Sequence, residues 1–384
     1  MKTIKDLDVW DKKVILRCDL NVSIKDGKIS SDERIIASLE TIKYLINSNC
    51  KLIIMSHLGK VKTEEDKKNN SLKVVYERLK ELLPDINIYF CPETRGKVLE
   101  DYAQKLQNGE ILLMENTRFE DLDNKKESNN DLQLAKYWAG LGEVFIDDAF
   151  GMTHRRHASN NGIKKFLPSG VGFLIAKELE MLDSLMNPEK PFVVIMGGAK
   201  VEDKSLLIES IIKRTDYLLL GGGIASTFLA ANHSVGKSLV SKEYISEAKK
   251  LLTIYKERII LPIDVIVKNN EDIHIKNITE LNDDDIIYDI GPHTIKEYEQ
   301  YINKAKTIFM NGTAGLYEDK NFEQGTKSIL AFCSKSTAKV ILGGGDALAS
   351  ADHFNIKDFY HLSTGGGATL DYISTGKLAC MEED

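Results

Sequence analysis

Short apolar runs recur from one end of the chain to the other, each followed by Gly or Asp and then by an amphipathic stretch. They fall at 14–16, 52–55, 111–114, 144–146, 193–196, 217–220, 259–261, 307–310 and 340–342. Uninterrupted apolar strands that alternate with helical segments predict parallel sheets covered by helices on both faces, an α/β class, and not a sandwich of half-exposed strands. A chain of 384 residues also exceeds the ~250–300 at which one hydrophobic core stops growing, so two lobes are expected. Between Pro168 and Pro191, residues 175–186 carry apolar side chains at three- and four-residue spacing, which predicts an interdomain helix. The expected division is 1–171, a helix over 172–187, a second domain over 188–370 and a short tail over 371–384. The charged, Asn-rich segments 62–70 and 120–130 read as exposed loops.

The formal net charge of −7 offers no general attraction to nucleic acid or to an anionic membrane surface, so any anion site must be locally basic. Five scattered cysteines, an odd number without a CxxC pair, read as reduced thiols. No apolar run reaches the ~18 residues that span a bilayer, and the amino terminus lacks a secretory pattern, which together predict a cytoplasmic protein.

Candidate chemistry differs between the halves. The second holds three triple-glycine turns, 221–223, 343–345 and 365–367, and the pair Gly197-Gly198, each beside an apolar run. Glycine lets backbone N–H groups approach a phosphate, and a following helix start adds a favourable dipole. Tight strand-to-helix turns also favour Gly, so any one turn is weak and the set of four carries the nucleotide reading. No GxxxxGK[ST] sequence and no clean GxGxxG after a strand is present, which disfavours a P-loop enzyme or a dinucleotide dehydrogenase. Lys200 and Lys204 stand four apart after Gly198 and would share a face if a helix began there; they are either a phosphate clamp or solvated surface lysines. Asp346 follows Gly344 and Gly345, where one carboxylate is enough for the Mg²⁺ of a nucleotide, or where an Asp caps the next helix.

The first half gathers cations after its strands: Arg17, Asp19 and Asn21, then Arg34, then His57 and Lys60, then Arg118, then His154, Arg155, Arg156 and His157. Strand ends of an open parallel sheet face one crevice, so these groups together are candidates to converge on a small anion, although any single Arg taken alone is more often in a surface salt bridge. With no nucleophile–base pair evident, two anion sites point to direct phosphoryl transfer by positioning and charge neutralisation.

The ordered series RCDLNVS (17–23), DERI (32–35), SHLGK (56–60), MENTRF (114–119), DDAFGMTHRRHAS (147–159), GGAKVEDK (197–204), GGGIASTFL (221–229), LPIDVIV (261–267), DIGPHT (289–294), NGTAGLYE (311–318), GGGD (343–346) and STGGGATLD (363–371) resembles the phosphoglycerate kinase family over nearly the whole chain. The resemblance implies two Rossmann-like lobes joined by a helix and hinge, a monomer, and reversible transfer between 1,3-bisphosphoglycerate and ADP. By motif position, Asp19, Asn21, Arg34, His57, Lys60, Arg118 and Arg155 would hold 3-phosphoglycerate. Gly198, Lys200, Lys204, Gly222, Asn311, Glu318, Gly344, Gly345 and Asp346 would hold ATP or ADP, with Asp346 on Mg²⁺. Arg34, Lys200, Lys204 and the backbone around Gly366 would be catalytic. The chain departs from the family pattern at Lys60, usually Arg, at Ile287, usually Gly, and in its short tail after Lys377. Those departures keep two alternatives in view, a paralogous kinase acting on another carboxylate and a nucleotide-binding regulator.

Overall fold

The computed structural model describes residues 1–199, 201–270 and 272–381. The chain divides into two compact units: Met1–Glu180 together with the tail from Lys377, and Met181–Gly376. Residues 371–375, placed with the tail on sequence grounds, continue the helix Gly367–Thr375 of the second unit. The helix Phe173–Met186 carries the chain from one unit to the next. No described helix is long and apolar enough to cross a membrane.

Unit 1 contains strands β1 (Lys13–Cys18), β2 (Ser23–Lys25), β3 (Lys28–Ser31), β4 (Lys51–Met55), β5 (Ile88–Cys91), β6 (Ile111–Met114), β7 (Val144–Asp148) and β8 (Ser169–Val171). Six of them form one sheet in the order β5-β6-β4-β1-β7-β8, every neighbouring pair parallel. The unbroken apolar runs follow from burial on both faces. Val14, Leu16, Leu52, Ile54 and Leu113 point into one core with Ile35, Ile42 and Leu45 of the helix Glu33–Asn47. Ile15, Ile53, Leu112 and Phe145 point into the other with Leu99 of the helix Lys97–Lys105 and Trp138 of the helix Leu132–Ala139. Each such side chain contributes about 1.5–3 kcal/mol on burial, so a one-residue slip of any strand is strongly disfavoured. β2 and β3 pair separately as an antiparallel hairpin.

Unit 2 contains β9 (Phe192–Met196), β10 (Tyr217–Leu220), β11 (Ile259–Ile260), β12 (Asp264–Asn269), β13 (Asp272–Asn277), β14 (Ile286–Ile290), β15 (Thr307–Asn311), β16 (Lys339–Gly343) and β17 (His361–Ser363). Its main sheet runs β11-β10-β9-β15-β16-β17, again all parallel. The two expected parallel sheets are therefore present. Beside the second lies an antiparallel sheet in the order β13-β12-β14, which the apolar runs do not announce. Its hairpin turns at Asn270, an Asn at φ +53°, a backbone region Asn tolerates better than most residues.

All five cysteines are free and buried. Segment 62–70 contains the short helix Glu64–Asn69, entered at Thr63, which accepts the Asp66 N–H. Segment 120–130 is exposed at Asp123, Asn124, Lys125 and Asn129 as expected, but the expectation fails at Glu120 and Glu127, which are buried. Their carboxylates accept hydrogen bonds from Thr94 and Ser159, both outside the segment, a pairing that local composition does not reveal.

Candidate functional site

In unit 1 the strands β6, β4, β1 and β7 are consecutive neighbours, so the loops leaving their C-terminal ends lie side by side. The Arg17 position pairs in register with Met55 on one side and Asp147 on the other. Beyond β1, Asp19 is buried and forms an ion pair with Arg34, which sits in the first turn of the helix Glu33–Asn47. Gly151, after β7, borders the pair, since a Cβ there would come within 2.6 Å of Asp19 Oδ2. Asn21 Oδ1 accepts the Gly59 N–H at 2.8 Å, tying the β1 loop to the β4 loop. Asn116, after β6, donates to Leu58 O at 2.7 Å and accepts the Arg118 N–H at 3.0 Å. The Arg118 guanidinium is held by Asp121 at 2.9 Å and by Ser128, while its Nε is buried with no hydrogen-bond partner.

His57 is buried at the centre of this group. Burial first, then the charges of Arg17 and Arg118, the neighbouring His157 and Arg34 hold its imidazole well below the ordinary range, so it is neutral. Burial, Arg118, Arg17 and Arg155 bring His157 down to about 3 in the same way. Arg34 and Arg118 thus act on His57, and Arg118 and Arg155 on His157. Lys60 is exposed, one residue beyond Gly59, and Arg155 is exposed with its Nε 3.0 Å from His154 Nε2. Arg17 behaves differently from the rest, being fully buried with its donors committed to protein acceptors. Sequence singles out none of Glu127, Ser159 or Asn116, although Asn116 and Ser159 stand in the quoted motifs.

The loop after β7 is also held by the tail. Cys380 N–H donates to Thr153 O at 3.0 Å, Arg156 Nε donates to Ala379 O at 3.1 Å, and Lys164 bridges Cys380 O and the buried Asp147 carboxylate at 3.2 and 2.8 Å.

In unit 2 the glycine turns leave the C-terminal ends of β9, β10, β16 and β17. They divide into two kinds. Gly198 donates its N–H to Thr313 O at 2.9 Å and Gly222 to Ala314 O at 2.7 Å, so both turns spend donors on the loop that follows β15. A Cβ on Gly222 would meet Gly198 O at 2.8 Å and Thr313 O at 3.2 Å, so glycine there answers to backbone approaching backbone. Lys204 Nζ donates to Gly197 O at 2.6 Å, which folds its ammonium over the same turn. Lys204 lies in the 3₁₀ turn Glu202–Lys204, and the helix begins only at Ser205; the helix expected directly after the glycines is displaced to that point. Lys200 falls outside the described residues.

Gly344, Gly345 and Gly366 are the second kind. Gly344, at φ +91°, is the cap of the helix Gly345–His353, and a Cβ on Gly345 would meet nothing within 4 Å. Gly366, at φ +53°, opens the helix Gly367–Thr375 and is equally open. First-turn N–H groups have no acceptor within their own helix, so both starts offer donors to an anion. Asp346 is exposed in the first turn; the capping position is Gly344's, which removes the capping explanation for that carboxylate. Asn311, at the end of β15, donates to Gly343 O at 2.6 Å, and its buried Oδ1 has no partner. An unmet buried acceptor costs about 1–3 kcal/mol, which a bound donor would recover. Glu318 is exposed on the loop that follows, where Tyr317 is raised by burial and by the charges of Glu318 and Asp346.

Among the described residues no group of three or more His, Cys, Asp or Glu is arranged to hold a metal by itself. The exposed Asp346 carboxylate beside an open helix start is a donor set that fits a hard cation arriving with phosphate oxygens and water, for which one protein carboxylate would be enough.

A parallel sheet ending in basic loops in one unit, and one ending in open glycine helix starts in the other, is the architecture of an α/β phosphotransferase. A family model described as phosphoglycerate kinase matches residues 4–377. The phosphoglycerate kinase of Enterococcus faecalis is 48% identical over 381 residues, covering 97% of this chain and 96% of its own. That of Macrococcus caseolyticus is 47% identical over 385 residues, covering 98% and 97%. Among solved structures, the phosphoglycerate kinase from Coxiella burnetii matches with a TM-score of 0.88 at 36% identity over 99% of this chain and 97% of its own. The one from Pyrococcus horikoshii gives 0.85 at 30% identity over 99% and 98%. The chain belongs to the phosphoglycerate kinase family and is a phosphotransferase with a carboxyl group as acceptor. A kinase of another carboxylate, or a regulator without activity, is not favoured at this level of full-length identity.

Proposed function

We propose that the enzyme transfers a phosphoryl group reversibly between 1,3-bisphosphoglycerate and ADP, giving 3-phosphoglycerate and ATP, as a cytoplasmic monomer. The observation that carries this reading is the set of cations about two neutral histidines, Arg17, Arg34 and Arg118 acting on His57 and Arg118 and Arg155 on His157, with Arg34 paired to Asp19 beside Gly151, a concentration of positive charge suited to an acid bearing both a carboxylate and a phosphate. In this role Asp19 orients Arg34, Asn21 holds the Gly59 turn, and Lys60 adds a single compact charge where a guanidinium would grip two oxygens.

In unit 2, Lys204, Asn311, Glu318, Gly344, Gly345 and Asp346 take the nucleotide, and Gly198 and Gly222 contribute by letting the backbone of the turns beside it pack closely. Mg²⁺, held by Asp346, would offset the negative charge of the nucleotide phosphates. In the synthetic direction a β-phosphate oxygen of ADP attacks the acyl phosphorus; the new P–O bond forms as the bond to the carboxylate oxygen breaks, and the electron pair leaves with 3-phosphoglycerate. No proton need move at the reacting atoms. The protein's task is to neutralise charge on the transferring group, which Arg34, Lys200, Lys204 and the backbone N–H groups beside Gly366 are suited to do.

Initial rates with MgATP and a panel of acids test the assignment. Turnover with 3-phosphoglycerate, and at least a hundredfold less with unphosphorylated glycerate, is expected. Equal rates with both acids would reject a site built for two anionic groups.

A further inference from the structure

Beneath the basic region of unit 1, four side chains form one continuous series of hydrogen bonds. The buried Glu127 carboxylate accepts the Ser159 N–H at 3.0 Å and the Ser159 hydroxyl at 2.5 Å. Ser159 Oγ in turn accepts Arg17 Nε–H at 2.9 Å. Arg17 Nη2 lies 3.2 Å from His57 Nδ1, and Nη1 donates to Cys18 O. The direction of each bond is forced. A guanidinium has donors only, so Ser159 Oγ must accept from it and has its one proton left for Glu127. For the same reason His57 Nδ1 must present a lone pair to Arg17, and a neutral ring whose Nδ1 accepts carries its proton on Nε2.

We propose that Glu127, Ser159 and Arg17 are positioning residues that lock His57 in the Nε2–H tautomer, so that an anionic acid meets a hydrogen-bond donor at His57. The proposal rests on the reading that this region takes phosphoglycerate. The opposite tautomer would turn a lone pair toward substrate oxygens, and a freely exchanging ring would present the donor only part of the time. Glu127 matters because Arg17 is fully buried: its charge needs a carboxylate, and Glu127 supplies one through a hydroxyl that also fixes the guanidinium plane. Burial and the surrounding arginines keep His57 neutral, so a tautomer choice exists to be made.

Nitrogen NMR of ligand-free enzyme labelled with ¹⁵N-histidine reads the tautomer directly, with His57 assigned through the signal lost in His57→Gln. We expect Nδ1 to resonate as an unprotonated, pyridine-like nitrogen and Nε2 as a protonated, pyrrole-like one; the reverse, or a doubly protonated ring, overturns the proposal. Ser159→Ala cuts the relay at nearly constant volume. It is expected to shift His57 toward a mixture of tautomers and to raise KM for 3-phosphoglycerate about two- to tenfold, the span of one neutral hydrogen bond, with kcat changed less than about twofold. Glu127→Gln, which keeps an acceptor but removes the charge, should fall between. If Ser159→Ala does not fold, the wild-type resonances decide alone. An unchanged tautomer in folded Ser159→Ala overturns the relay whatever the region binds. A shifted tautomer with unchanged KM instead overturns the acid-substrate reading.

Discussion

The two kinds of glycine turn in unit 2 make opposite demands, and a pair of alanine substitutions separates them. At Gly222 the backbone stands at φ +58°, and an added Cβ meets Gly198 O at 2.8 Å, Gly198 N at 3.0 Å and Thr313 O at 3.2 Å. All three are backbone atoms, so no side-chain rotation relieves the contact. Left-handed backbone costs an L-residue about 1–2 kcal/mol. Forcing an extra carbon into a filled interior costs about 1–3 kcal/mol more. Gly222→Ala should therefore destabilise its lobe by about 2–5 kcal/mol, lowering the thermal midpoint by about 4–20 °C for a domain of this size. At Gly345 the φ is not positive and the added methyl meets nothing. Gly345→Ala should leave stability unchanged, or raise it by about 0.4–1 kcal/mol through the unfolded chain, while weakening nucleotide binding by crowding an open helix start. Differential scanning calorimetry supplies the midpoints and titration calorimetry with MgADP the affinities. Gly222→Ala as stable as the parent, or Gly345→Ala with unchanged MgADP affinity, would refute the division of the turns into packing and ligand-facing kinds.

Arg34→Ala should lower kcat/KM by about 10²–10³, as expected for loss of one preorganised charge, and it also strands the Asp19 carboxylate beside the substrate; a loss under tenfold would contradict the role. Lys204→Ala should lower turnover far more than nucleotide affinity, since its charge matters most while the phosphoryl group moves, and equal losses in both would count against this. Stability should also depend on pH through Asp148, which is buried at the end of β7, has an unpartnered Oδ2 and is pushed up by burial to about 7. A carboxyl raised in the folded state contributes stability that is intact below its unfolded pKa near 4 and lost as pH climbs to about 7, here about 4 kcal/mol in all. Asp289, in the other unit, is pushed to about 7 by the same cause, so urea unfolding of Asp148→Asn should show a shallower but still present decline between pH 4 and 7, and an unaltered slope would disprove the assignment.

Strands buried on both faces are legible in sequence because their apolar runs have no polar interruption, and β1, β4, β6, β7, β9, β10, β15 and β16 are of that kind. β5 escapes because Tyr89 stands exposed between Ile88 and Cys91, and β13 because only backbone pairing holds its exposed Ile273 and Ile275 in place. Motif residues on adjoining loops, such as Asp19 with Arg34, are legible once parallel order is assumed. Glu127 is not: a glutamate within a charged, Asn-rich stretch is indistinguishable from a solvated one until its partner Ser159, 32 positions away, is known. The glycine turns are half legible, because the residue type reports that something comes close without saying whether it is a ligand or another stretch of backbone. Lys204 shows this limit, its ammonium resting on the Gly197 carbonyl of the very turn that suggested a clamp.

In the proposed reaction the carboxylate of 3-phosphoglycerate itself receives the phosphoryl group. The most direct test is to incubate enzyme, MgATP and 3-phosphoglycerate with hydroxylamine, which captures an acyl phosphate as a hydroxamate. Hydroxamate should form one-for-one with ADP, and neither product with Arg34→Ala beyond about a hundredth of the parent rate. ADP released without hydroxamate would place the phosphoryl group on some other acceptor and contradict it.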